Sequence, residues 1–77
     1  MPGIEVEGFR ILVNTRDERG HRPHVHVIRA NYKCKIVLDA ELTPYDTRMP
    51  KRYVKRAREL VAEHFDELAT LWKKYNG

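Results

Sequence analysis

Apolar and polar side chains alternate through Phe9-Arg10-Ile11-Leu12-Val13-Asn14, which predicts a strand over about 9–14 with Phe9, Ile11 and Val13 on one face. Ile4 and Val6 extend this strand or form a short lead-in, with Gly8 marking a bend. The same alternation runs through residues 24–30, placing Val25 and Val27 inward, and through 33–38, placing Cys34, Ile36 and Leu38 inward. Ala30-Asn31-Tyr32 between them reads as a tight turn, because Asn tolerates positive φ. Residues 15–23 are polar and read as a loop, and residues 39–50, holding Pro44 and Pro50, read as a connector.

After Pro50 the period changes. Val54, Ala57, Val61, Phe65, Leu68, Trp72 and Tyr75 step by three and four, and Leu60 and Leu71 widen the stripe. This predicts one long helix over about 51–75, with Pro50 in the first helical position and Asn76-Gly77 at its end. An apolar stripe needs a surface to cover, and the inward face of the sheet is the one on offer. The expected fold class is therefore α+β: a single small domain over 1–77, with three or four antiparallel strands packed on one face by the C-terminal helix. Alternation then leaves Arg10, Leu12, His24, His26, Ile28, Lys33, Lys35 and Val37 on the opposite face.

That face holds the most distinctive stretch of the chain, His21-Arg22-Pro23-His24-Val25-His26-Val27. On a strand His24 and His26 share a side, about 7 Å apart along it. Three chemistries suit such a pair. A histidine pair can begin a metal site, with His21 as a third ligand and Asp17, Glu18, Asp39 or Glu41 as carboxylates, but His-x-His alone lacks a full ligand set and no metal or other cofactor is assigned. The pair can act as general acid and base on a phosphodiester, with Lys33, Lys35 or Arg22 stabilising charge, as in a metal-independent ribonuclease. Or a histidine can donate a hydrogen bond to a loop carbonyl and hold the approach through Pro23 in place.

Charge narrows the partners. The 77 residues carry 15 Lys and Arg against 11 Asp and Glu, a net +4 that favours an anionic partner. Arg48, Lys51, Arg52, Lys55, Arg56 and Arg58 crowd the start of the helix, with no acid until Glu59. Cations there oppose the helix dipole. The arrangement reads either as an anion site, with Arg48, Lys51, Arg52, Lys55 and Arg56 joined by Lys33 and Lys35 as phosphate contacts, or as a solvated face offset by pairs such as Arg56 with Glu59 or Glu63. Tyr32, Tyr45 and Tyr53 are candidates for base stacking, although none sits in a recognised RNA-binding motif. Cys34 is the only cysteine, so no intramolecular disulfide forms, and its apolar neighbours make it a small buried hydrophobe. That single cysteine favours a reducing cytoplasm, no apolar run is long enough to span a membrane, and the first seven residues lack the pattern of a secretory signal. So short a chain has a small core, and a homodimer is one way to enlarge it.

Pro23-His24-Val25-His26-Val27 resembles the P-H-x-H-V signature of a family of small bacterial proteins known as domain of unknown function 4160. The resemblance extends to Gly8-Phe9-Arg10-Ile11, to Lys35-Ile36-Val37-Leu38-Asp39, and to a helix containing Glu59-Leu60-Val61-Ala62-Glu63-His64, Leu68 and Leu71-Trp72-Lys73-Lys74-Tyr75. It carries over His24 and His26 as signature residues, while His21 falls in a variable loop. The family has no settled activity. Its members look like one half of two-gene bacterial modules, similar to toxin–antitoxin pairs, beside a small protein with DNA-binding features. The resemblance thus implies a small cytoplasmic nucleic-acid-interacting component with a partner protein encoded nearby. The alternatives are the ribonuclease above and a protein-interaction module that docks through the open sheet face.

Overall fold

The structure is a computed structural model that describes residues 3–13 and 22–76. Five strands form one antiparallel sheet in sequence order: β1 (Gly3–Val6), β2 (Phe9–Leu12), β3 (His24–Arg29), β4 (Tyr32–Val37) and β5 (Pro44–Arg48). Two helices follow, α1 (Lys51–Glu63) and α2 (Phe65–Asn76). The α+β class and the antiparallel meander agree with the alternation, but the sheet has five strands where three or four were expected. The lead-in is a true strand. Ile4 and Val6 pair with Ile11 and Phe9 through the Glu7-Gly8 turn, where both residues have positive φ, as a two-residue hairpin that follows strand twist requires.

The supposed connector contains β5. Pro44 and Pro50 disguised it, yet a proline is tolerated at the first residue of an edge strand. Lys35 faces Tyr45 and Lys33 faces Arg48, so β5 spends two residues, Asp46 and Thr47, against Cys34 alone. This bulge, with Asp46 at φ 47, returns Arg48 to the same face as Tyr45. In the β3–β4 turn the positive φ falls on Ala30 and not on Asn31. The register Arg29↔Tyr32 fixes which residue stands at the first central position, and alanine accepts the strain.

The predicted long helix is two. The chain leaves helical geometry at His64 (φ −110, ψ 20), although His64 still donates to Leu60 and accepts from Leu68. Neither proline nor glycine marks the break. Leu60 and Val61 on one side and Leu68 and Trp72 on the other are all buried, so the core holds both segments and the backbone between them yields. Pro50 stands one place earlier than expected. It is the N-cap, and its carbonyl accepts from Tyr53 and Val54.

The core joins Phe9, Ile11, Val13, Val25, Val27, Cys34 and Ile36 from the sheet to Ala57, Leu60, Val61, Leu68 and Trp72 from the helices. The inward faces of β2, β3 and β4 follow the alternation. Burial pushes the Cys34 thiol up to about 11, so it stays protonated and unreactive near neutrality.

Candidate nucleic-acid interface

Strand parity puts His24 and His26 on one side of β3, and their ring centroids are 5.2 Å apart. Their surroundings differ. His26 sits mid-sheet between Leu12 and Lys35 and is half-buried. His24 stands at the start of the strand and is only 5% exposed. The ring of Trp72 lies 5.3 Å from it and that of Tyr45 6.0 Å. The expectation that the helix leaves both imidazoles uncovered is therefore corrected for His24. The break at His64 divides the expected single rod, and Trp72 of the second segment meets the signature histidine.

His24 Nδ1 donates to the Arg22 carbonyl at 2.8 Å. A carbonyl can only accept, so this nitrogen carries the proton. One residue further, the Pro23 carbonyl accepts from the Leu38 amide at 2.8 Å. The Pro-His step thereby fastens the approach of β3 to its own loop and to the end of β4. This is the structural role considered for the motif, and it explains why a proline and a histidine stand side by side: one stiffens the chain, the other ties it down.

Beside His26 the uncovered face forms a groove of about 650 Å³. Leu12 and Ile28 give it an aliphatic floor, and Lys33, Lys35, Asp46 and Arg48 stand around it. Lys35 Nζ lies 3.3 Å from Asp46 Oδ2 and 5.7 Å from the centre of the Tyr45 ring. Tyr45, Asp46 and the facing position of Arg48 come from β5, which alternation had not revealed as a strand. The available signal was the β-favouring Tyr45 and Thr47 between two prolines.

The seven basic residues expected to contact phosphate divide between the sheet and the first helix. Lys33, Lys35 and Arg48 share the groove. Lys51, Arg52, Lys55 and Arg56 lie on α1, and several have other work. Arg56 forms a two-pronged pair with the Glu7 carboxylate, with Nε 3.0 Å from Oε1, and lies 3.8 Å from Glu59. That pair holds the Glu7 carboxyl below its ordinary value. The Arg52 guanidinium lies 4.9 Å over the Tyr53 ring, and with Arg29 it holds the Tyr53 hydroxyl below its usual range. Arg58 donates to the carbonyls of Leu42 and Glu41 and straps the β4–β5 loop to the helix. Lys51 and Lys55 are exposed. The first turn of α1 has no acid, and Glu7 from the β1–β2 turn meets the helix one turn further on, at Arg56.

Among the described residues no three His, Cys, Asp or Glu side chains gather closely enough to hold a metal ion. His21, Asp17 and Glu18, invoked for a metal site, lie outside the described residues. No described helix is long and apolar enough to cross a membrane.

No curated protein and no solved structure matches the chain. Residues 8–73 do match the family described as Domain of unknown function (DUF4160). That span takes in His24 and His26, the groove strands and Trp72. The chain therefore belongs to the DUF4160 family.

Proposed function

We propose that this protein is a small cytoplasmic nucleic-acid-interacting component of a bacterial toxin–antitoxin-like module, and that its sheet groove makes the contact. The observation that carries the reading is the convergence of Lys33, Lys35 and Arg48 on one concave face. Three cations beside an open cleft attract a phosphate chain, and of these only Lys35 pairs with an acid among the described residues. Lys51 and Lys55 extend the positive field from α1, while Arg52 and Arg56 contribute less because their guanidinium groups already hold partners. The module role, with a partner protein encoded nearby, rests on the gene context that the family resemblance implies.

The ribonuclease alternative needs both imidazoles to reach a phosphodiester. Burial of His24 and the commitment of its Nδ1 weigh against that. A homodimer formed through this face would bring Lys33, Lys35 and Arg48 of one copy against those of another, which like-charge repulsion disfavours.

The test is a titration of labelled RNA and DNA oligonucleotides followed by fluorescence anisotropy at several salt concentrations. Binding through the three groove cations gives a log–log salt slope of about −2 on a single strand. The double variant Lys33→Glu with Arg48→Glu should abolish binding while the fold persists, since both side chains are exposed. Absence of binding to any oligonucleotide at low salt would sink the reading. Retention of an acidic protein by the same face would favour the protein-interaction alternative.

A further inference from the structure

Resting on that reading, we infer that the groove takes an unpaired strand, with one base stacked on Tyr45 and the flanking phosphates at Lys33, Lys35 and Arg48. A site for duplex needs cations and polar groups, because a duplex buries the faces of its bases and presents phosphate, sugar and groove edges. This groove is not built so. Leu12 on β2 and Ile28 on β3 place aliphatic carbon beside the cations of β4 and β5. An apolar floor inside a basic cleft is satisfied by the flat face of a base, and bases offer their faces only when unpaired.

Tyr45, at the margin of the groove beyond Lys35, adds the stacking surface. It is 36% exposed, and the bulge in β5 puts it on the same face as Arg48. It faces Lys35 across the strand pair, and the Lys35 amine lies near both its ring and the Asp46 carboxylate. A phosphate arriving beside Tyr45 would draw that amine from Asp46 and leave the ring with a counter-charged neighbour. Lys33 and Lys35 are two residues apart on one face of β4, about 7 Å along the strand. That interval suits successive phosphates of an extended chain. Arg48 stands directly opposite Lys33 and closes the cleft from β5.

The probe is one mixed-sequence oligonucleotide without self-complementarity, used as RNA, as DNA and as the blunt DNA duplex. The expected result is that both single strands bind at least about five-fold more tightly than the duplex, the lower range for one stacked base. Tyr45→Ala should lower single-strand affinity by a similar factor without changing the salt slope, and Tyr45→Phe should restore it. A thermal melt of each variant reports its folding. If Tyr45→Ala unfolds, the comparison of strand states on the unaltered protein still decides. Duplex binding as tight as single-strand binding overturns the inference and leaves the proposed function standing. Unchanged affinity in folded Tyr45→Ala overturns the role of Tyr45. Failure of all three oligonucleotides to bind removes the proposed function as well.

Discussion

At its first residue β3 carries His24, buried beside Trp72 and Tyr45 and hydrogen-bonded to the Arg22 carbonyl. At its last it carries Arg29, half-buried, with its guanidinium 4.9 Å from the Phe9 ring and 5.0 Å from the Tyr53 ring and a hydrogen bond to the Glu7 carbonyl. Both ends close the sheet with a planar nitrogen group against aromatic rings. The difference lies in water. The His24 end is drier: the imidazole is buried and its hydrogen bond is partly shielded, so competition from solvent is reduced. The Arg29 end is wet, and its charges, including Arg56 with Glu7, are screened and individually weak. At the His24 end a single side chain, with the Pro23 carbonyl beside it, ties the approach of β3 down. The wet end spreads its hold over several cations.

The contrast can be broken by substitution. The largest expected effect is from Trp72→Ala, which should cost about 3–5 kcal/mol in urea unfolding, a large part of the stability of so short a chain. His24→Ala should come next, at about 1–3 kcal/mol for the lost bond and packing. His26→Ala, on the groove floor, should cost less than His24→Ala. Equal losses from the two histidines would show that the start of β3 has no special hold on the fold.

The wet end should respond mildly. Ala30→Gly removes the strain of positive φ at the β3–β4 turn and should stabilise the protein by up to about 1 kcal/mol, read as a raised melting temperature. The smallest effect is expected from Glu7. Its folded carboxyl is held below the ordinary value of 4.5, chiefly by its hydrogen bond with Arg56. The stability it contributes is present above that value and is lost as pH falls through the lowered folded value. Glu7→Gln should therefore flatten the fall in melting temperature on acidification, and added salt should shrink the difference. An acid limb as steep in Glu7→Gln as in the unaltered protein would assign that limb to other carboxylates.

Much of this arrangement was legible before any coordinates. The two-residue period assigned every inward side chain of β2, β3 and β4 up to Ile36, because a half-buried sheet writes its geometry directly into residue types. It also placed His24 and His26 on one face. The helical period located the buried stripe through Ala57, Leu60, Val61, Leu68 and Trp72. What escaped was whatever lacked a local cause. β5 is largely exposed and irregular, so neither burial nor strict alternation marked it. The break at His64 has no proline or glycine to announce it.

Sequence alone thus determined the class of fold, the faces of the central strands and the balance of charge, since each follows from the chemistry of neighbouring residues. Tertiary structure decided which of two like residues is buried, which cations are already engaged, and where the groove lies. Those outcomes depend on contacts between Trp72 and His24, Glu7 and Arg56, and Lys35 and Asp46. The first two pairs are far apart along the chain and are brought together by the folded core, while the third, eleven residues apart, is set by the pairing of β4 with β5.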